Sequence, residues 1–171
     1  MAEVYKIFLL FLLMACNQTE SQVGTPAIKK QTATPLENKA YKVIGVKDGD
    51  TFVLLVNGKE QVVRFAHIDC PEKKQPFGTK AKQFVSDACF GTFVTLVHNN
   101  KYDRNKRLIA EVLLADGRNL NKELVKNGLA WHYKKYSADT AYASLETTAR
   151  QQKAGLWIEN TAVPPWQWRG K

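Results

Sequence analysis

The residues best suited to chemistry lie in one short stretch of the chain. Within residues 48–72, four of the five carboxylates lie at turns and the single arginine lies inside an apolar run: the residues are Asp48, Asp50, Asp69, Glu72 and Arg64. Carboxylates at turns between strand-like runs are poor core material, but they are good ligands for a hard cation. An arginine beside them can donate two parallel hydrogen bonds to a phosphate. The stretch therefore predicts a hard-cation site next to an anion-binding group.

Arg64 lies in the middle of an apolar, strand-like run. An unpaired arginine would be costly in such a place. We therefore expect it to pair with an Asp or Glu of the same site whenever an anionic substrate is absent.

The composition fits one globular domain that binds a polyanion. The chain has 171 residues, of which 44% are hydrophobic, and a formal net charge of +9. A field of this sign attracts nucleic acid or an anionic membrane surface. Three cysteines are too few for a disulfide scaffold, and no C-x-x-C pair indicates a zinc site.

Residues 1–16 have the pattern of a signal peptide. Lys6 precedes an apolar run from Ile7 to Ala15, which is too short to span a bilayer as a mature helix. The L-M-A-C sequence that ends at Cys16 resembles the lipobox of bacterial lipoproteins, in which the cysteine is lipidated. An ordinary cleaved signal is the alternative. Both interpretations predict export, either as a membrane-anchored lipoprotein, periplasmic or at the cell surface, or as a freely secreted protein.

Residues 17–38 are rich in Thr, Gln, Ser, Pro and Lys and lack apolar periodicity. Such a composition cannot offset its ordering entropy, so these residues are expected to form a flexible linker. Residues 39–171 form the predicted folded domain.

Five strand-like runs predict a β-barrel. The D-G-D turn separates the first two runs, the N-G pair at 57–58 predicts a type I′ hairpin, and Pro71 ends the third run. The predicted strands are Tyr41–Val46, Thr51–Val56, Glu60–Ile68, Thr92–His98 and Arg107–Leu114.

Apolar residues at helical spacing predict three helices, Gly78–Cys89, Asn119–Asn127 and Asp139–Lys153. The last of these is expected to bury Ala141, Leu145 and Ala149. The tail V-P-P-W-Q-W-R is expected to pack as an irregular aromatic strap. A helix between the third and fourth of five strands is the order of an OB-fold, so the predicted class is α+β, a five-stranded OB-fold barrel plus three helices.

Five motifs occur in a family-specific order: D-G-D-T, R-x-x-x-I-D-x-P-E, D-R-N-K-R, L-x-x-x-G-L-A-W and G-L-W. Together they resemble the staphylococcal nuclease (thermonuclease) family over roughly residues 42–157. The resemblance implies an OB-fold barrel and a Ca²⁺-dependent endonuclease. Such an enzyme hydrolyses DNA and RNA to 3′-phosphate products by metal-assisted attack of water.

The resemblance also assigns roles to residues. Asp50, Asp69 and the backbone carbonyl of Cys70 would hold Ca²⁺, and another divalent ion remains open. Glu72 would deprotonate or orient the attacking water. Arg64 and Arg107 would bind the phosphate.

Substrate contacts are less fully assigned by the resemblance. Arg104 would replace the charge of a family lysine, and it is also the alternative to Arg107 if the alignment shifts by three residues. The second substrate tyrosine falls on either Tyr133 or Tyr136. The expected substrates are DNA and RNA, with single strands preferred, and the protein is expected to be a monomer.

Two other functions are compatible with parts of this sequence. One is a binding module that keeps the barrel without the chemistry, and the other is a basic surface lipoprotein that adheres to anionic polymers. A module that only binds has no use for the complete set of catalytic residues, which this sequence contains. A disulfide between Cys70 and Cys89 is left open, because sequence alone does not give its geometry.

Overall fold

The computed structural model describes residues 39–159 and 161–170. The predicted signal peptide, lipobox and linker, residues 1–38, therefore lie outside the described residues. Within the described part of the chain, no helix is long and apolar enough to cross a membrane.

In the described part of the chain, seven strands form two sheets, and five of them close into the predicted barrel. The strands are β1 (Ala40–Asp48), β2 (Thr51–Val56), β3 (Lys59–Phe65), β4 (Ile68–Asp69), β5 (Phe93–Val97), β6 (Leu108–Leu113) and β7 (Trp131–His132). The barrel order is β1-β2-β3-β6-β5, and β3 pairs with β6 in parallel. The remaining strands, β4 and β7, pair with each other. The barrel confirms the OB-fold class predicted from the strand order.

The third strand is shorter than predicted. It ends at Phe65, because His67 adopts a left-handed φ of 68° and breaks the run before Ile68. The carbonyl of Ala66 accepts a hydrogen bond from the buried side chain of Asn121 at 3.0 Å. The two residues beyond the break form β4, so this part of the chain leaves the barrel.

Residues 39–159 and 161–170 also contain four α-helices. They are α1 (Gly78–Cys89), α2 (Leu120–Lys126), α3 (Thr140–Gln151) and the single turn α4 (Pro165–Trp168), with a 3-10 helix at Gly155–Ile158 between the last two. The first three helices were predicted, and their N-terminal boundaries agree within one residue. The tail predicted as an irregular strap contains α4.

Helix α3 buries a different face from the predicted one. Tyr142 and Glu146 are buried, whereas Ala141 is exposed. Leu145 is half-buried, and Ala149 is fully buried as predicted.

Polar partners explain the face that α3 buries. The Tyr142 hydroxyl donates a hydrogen bond to the carboxylate of Glu111, and its ring stacks on His67 with centroids 4.8 Å apart. Glu146 accepts a hydrogen bond from Arg150 at 2.9 Å. The spacing of apolar residues along the helix does not predict this buried face. Tyr142 is buried against residues of other segments, and Glu146 is buried with a charged partner on the same helix.

Cys70 and Cys89 are both buried and both free. Burial raises the pKa of the Cys70 thiol well above its ordinary value and that of Cys89 to about 12. The two residues serve as small apolar groups in the core, and the disulfide left open by the sequence is not formed in the structure.

Gly128 lies between α2 and β7, the strand that pairs with β4. Its φ is +63°, and a Cβ at this position would lie 2.1 Å from the carbonyl oxygen of Ala154. The carbonyl of Gly128 itself accepts a hydrogen bond from the backbone of Leu156 at 2.8 Å. Only glycine allows this close approach of two backbone segments.

Gly128→Ala is expected to destabilise the protein by about 3 kcal/mol, because a left-handed conformation and a backbone overlap both oppose the added methyl group. The free energy of unfolding from urea denaturation measures the effect. Gly117→Ala is the matched control: its φ is +84°, but a Cβ there meets nothing within 4 Å. It should cost only about 1 kcal/mol. Equal losses in the two variants would contradict the packing argument.

Candidate active site

Two carboxylates from different elements meet at one end of the barrel. Asp50 lies in the turn between β1 and β2, and its backbone N–H donates to the side chain of Asp48 at 3.1 Å. Asp69 is the last residue of β4. The Oδ2 atom of Asp50 accepts a hydrogen bond from the backbone N–H of Cys70 at 2.7 Å. The turn and the short strand β4 are thus held together by the carboxylate itself.

Arg64 brings the two carboxylates onto a single nitrogen atom. Its Nη2 lies 3.0 Å from Asp50 Oδ2 and 2.7 Å from Asp69 Oδ1. Its Nη1 donates to the backbone carbonyls of Phe65 and Ile68 at 2.8 and 2.9 Å. The side chain is only 13% exposed. The acidic partners expected for Arg64 from the sequence are therefore Asp50 and Asp69.

Burial raises the pKa values of two carboxyl groups at this centre, Asp48 and Asp69. Burial and the neighbouring charge of Asp50 raise the pKa of Asp48 to about 6. Burial also raises the pKa of Asp69, although Arg169 and Arg64 oppose the shift. For Arg64, burial lowers the pKa, but the two carboxylates outweigh it and the net shift is upward. Burial thus makes the charged forms of Asp48 and Asp69 less stable, and nearby positive charge stabilises them.

Glu72 lies in the loop after β4, and its side chain is 41% exposed. The loop is braced by Gln75, whose backbone N–H donates to the Glu72 carbonyl and whose side chain accepts from the Glu72 N–H at 3.1 Å. The carboxylate is thus held at the edge of the site while remaining open to solvent.

Arg107 approaches the centre from the start of β6. Its Nη1 donates to the hydroxyl of Thr51 at 3.3 Å, and that hydroxyl donates to Asp50 at 3.2 Å. Asp103 pairs with the same guanidinium at 2.7 Å. Arg104, the alternative to Arg107 in the sequence, is exposed on the preceding loop. The geometry therefore favours Arg107 as the second arginine of the site.

Tyr133 and Tyr136 lie together just after β7. Their rings are 4.8 Å apart in an edge-to-face arrangement, and Tyr136 is 69% exposed. Tyr133 also stacks on Trp166 of α4, with ring planes within 3° and centroids 5.1 Å apart. Tyr133 and Trp166 line a pocket of about 370 Å³, and Lys134 and Lys135 line it as well. Trp166 packs against Tyr133 and Trp131, as expected for the aromatic tail, and it still leaves 37% of its surface exposed.

Among the described contacts, none joins a histidine side chain to Asp50, Arg64 or Asp69. His98 is exposed, whereas the rings of His67 and His132 both contact the Ser137 hydroxyl, at 2.9 and 3.0 Å. Burial lowers the pKa of His132, which favours its neutral form.

Arg169 is the site residue that the sequence did not reveal. It follows α4 and contacts both Asp69 and Glu72, at 2.7 and 2.6 Å. Its only sequence signal is a charged residue after an aromatic turn, which is common on protein surfaces.

The donor set fits a hard cation. Asp50 and Asp69 already converge on one cationic nitrogen, and the Cys70 backbone lies beside Asp50. Carboxylate and carbonyl oxygens are the ligands that Ca²⁺ prefers. No group of three His, Cys, Asp or Glu side chains suited to a metal occurs in the described part of the chain. A set of two carboxylates and a main-chain carbonyl does not need a third such side chain.

Comparisons with known proteins find relatives whose names describe nucleases. The sequence model of a family described as "Staphylococcal nuclease homologue" matches residues 62–159. An "Uncharacterized endonuclease" of Haemophilus influenzae is 40% identical over 139 residues, which cover 81% of this chain and 77% of that protein. A "Micrococcal nuclease" of Shigella flexneri is 35% identical over 137 residues, covering 75% and 79%.

Arg64→Lys is expected to lower the free energy of unfolding by about 2 kcal/mol, because an ammonium group cannot reach both carboxylates and both backbone carbonyls. Urea denaturation in a chelator measures this loss without bound metal. Arg118→Lys is the control, since Arg118 pairs with Asp116 at an exposed position. Its stability should change by less than about 0.5 kcal/mol. Equal stability of wild type and Arg64→Lys would show that the Arg64 contacts do not hold the centre together.

Proposed function

The chain belongs to the staphylococcal nuclease family and is a nuclease, and from this premise we propose that it is a Ca²⁺-dependent endonuclease. It hydrolyses DNA and RNA and leaves 3′-phosphate ends. The observation that carries the proposal is the convergence of Asp50 and Asp69 on one cationic nitrogen, with Glu72 and Arg107 at the rim of the same centre.

The metal-binding residues in this proposal are Asp50, Asp69 and the carbonyl of Cys70. Bound Ca²⁺ would supply positive charge that stabilises the additional negative charge of the transition state. Asp69 would be available for it because its charge is shared between two arginines, one of which, Arg169, has a side chain that is 44% exposed.

Glu72 would act on the attacking water. Its carboxylate is solvent-accessible, and the Gln75 brace fixes the loop that carries it. The water oxygen forms a bond to phosphorus while the bond from phosphorus to the 5′-oxygen breaks, so the phosphate stays on the 3′ side. Glu72 takes the proton of the water, and the departing 5′-oxygen gains a proton from solvent or a nearby acid.

Arg107 would bind the phosphate from one side. Arg64 would bind it from the other side, through the Nη2 atom that would become free once Ca²⁺ binds Asp50 and Asp69. A guanidinium group keeps its charge and offers two parallel donors to phosphate oxygens. Arg107 is held by Asp103 and Thr51, so its fork is oriented before substrate binds. Such fixed donors stabilise charge that develops on the phosphate without a reorganisation cost.

Unpaired bases would stack beside this centre. Tyr136 exposes most of its ring, and Tyr133 lies next to it with the two lysines of the adjoining pocket. Aromatic rings with nearby cations bind single strands without sequence preference. This surface supports the proposal that single-stranded nucleic acid is preferred, with Arg104 on the exposed loop adding charge for the substrate backbone.

Ca²⁺ should allow the purified protein to digest single-stranded DNA and RNA, and a chelator should abolish the digestion. Glu72→Gln should lower turnover by about 10²-fold or more, because it removes the proton acceptor. Arg118→Gln, which changes an exposed charge, should digest normally. Primer extension of the products should require prior phosphatase treatment, since 3′-phosphates block it. Intact substrate in the presence of Ca²⁺ would refute the proposed function.

We also propose that the protein is exported and anchored as a monomer by a lipid on Cys16, with free secretion after ordinary cleavage as the alternative. The L-M-A-C pattern supports the anchor, and residues 17–38 would separate the domain from the membrane. Mass spectrometry of the mature N-terminus should find a lipidated Cys16. An unmodified N-terminus at another residue would refute lipidation.

A further inference from the structure

The segment of residues 161–170 adds a third arginine to the centre. Arg169 Nη2 lies 2.7 Å from Asp69 Oδ2, and its Nη1 lies 2.6 Å from Glu72 Oε1. The same Nη1 is 3.5 Å from Asp69 Oδ1. One guanidinium therefore joins the proposed metal ligand to the proposed general base.

Several contacts fix this segment against the site. Gln75 donates its side-chain amide to the carbonyl of Val163 at 2.5 Å. Trp166 stacks on Tyr133 and meets Trp131 edge to face. Gln75 is the residue that braces the Glu72 loop, so the same side chain fixes both the loop and the segment. The position of Arg169 is thus built into the packing of the aromatic turn.

Both oxygens of Asp69 are occupied by arginines. Oδ1 accepts from Arg64 and Oδ2 from Arg169, each at 2.7 Å. A divalent cation that binds Asp69 must therefore compete with two positive charges that already lie against this carboxylate. Arg64 is held by two backbone carbonyls and is 13% exposed, whereas Arg169 has no such carbonyl bonds among the described contacts and is 44% exposed. Arg169 is the arginine that can move.

We propose that Arg169 is a third active-site arginine, which neutralises Asp69 and Glu72 before the metal binds and then moves from Asp69 onto the substrate phosphate. The proposal rests on the Ca²⁺-dependent function above. The displaced guanidinium stays within reach of the centre because its segment remains packed. The guanidinium changes its partner from a carboxylate to a phosphate. The centre therefore gains the positive charge of the metal ion and keeps that of Arg169.

This role predicts effects of opposite sign on two quantities. Arg169 competes with the cation for Asp69, so its removal should strengthen metal binding. It also contacts the substrate phosphate, so its removal should weaken catalysis. A residue that only fastened the segment would weaken both, because the site would lose its support.

The test compares Arg169→Gln and Arg169→Lys with wild type. Calorimetric titration with Ca²⁺ alone should show that Arg169→Gln binds the ion about 5- to 10-fold more tightly, because one competing positive charge is gone. At saturating Ca²⁺, its kcat/KM on single-stranded DNA should fall about 10- to 100-fold. Arg169→Lys keeps the charge but not the fork, so its Ca²⁺ affinity should stay near that of wild type while kcat/KM is only partly restored.

Arg118→Gln removes an exposed arginine and is the control for net charge. Both quantities should change less than about twofold in it. Unchanged or weaker Ca²⁺ binding by Arg169→Gln would overturn the proposal, and so would an unchanged kcat/KM. Wild-type protein that binds no Ca²⁺ would instead refute the proposed function, and this inference with it. The inference alone fails if wild type binds Ca²⁺ and Arg169→Gln binds it equally.

Discussion

The pairing of Arg64 with Asp50 and Asp69 is the interaction on which the site depends. A nearly buried guanidinium would be strongly unfavourable without anionic partners, and the two carboxylates would repel each other without it. Its second nitrogen holds the carbonyls of Phe65 and Ile68, on either side of the break after β3. One side chain therefore neutralises the acidic centre and also shapes the turn that brings Asp69 into it.

The barrel explains why distant residues can serve this centre. The parallel pairing of β3 with β6 aligns Arg64 with Ile109, two residues beyond Arg107. The β1–β2 turn supplies Asp50 from the other side of β3. A closed barrel fixes these registers together, since a slip in one strand would have to be matched by every neighbour. The centre thus needs the barrel to form, although the catalytic stretch is short in sequence.

The sequence is most informative where a residue would be energetically costly without a specific partner. Arg64 in an apolar run predicts an acidic partner, and the order of strands and turns predicts the barrel. Local sequence patterns do not predict the break at His67. There the carbonyl of Ala66 accepts a hydrogen bond from Asn121, which belongs to α2. Local patterns also do not show Arg169, since a charged residue after an aromatic turn is ordinary on a surface. Both depend on contacts between segments about 50 or more residues apart.

The local charge of the centre is opposite to that of the whole chain, and this contrast suits a nuclease. The net charge of +9 attracts nucleic acid over a long range, but the same field would repel a metal cation. Asp48, Asp50, Asp69 and Glu72 reverse that potential at one end of the barrel, and burial of Asp48 and Asp69 raises the free energy of their charged forms. Under our proposal, Arg169 resolves the conflict by exchanging a carboxylate for a phosphate. It would stabilise the acidic centre while no substrate is bound, and it would bind the phosphate once a cation takes over Asp69.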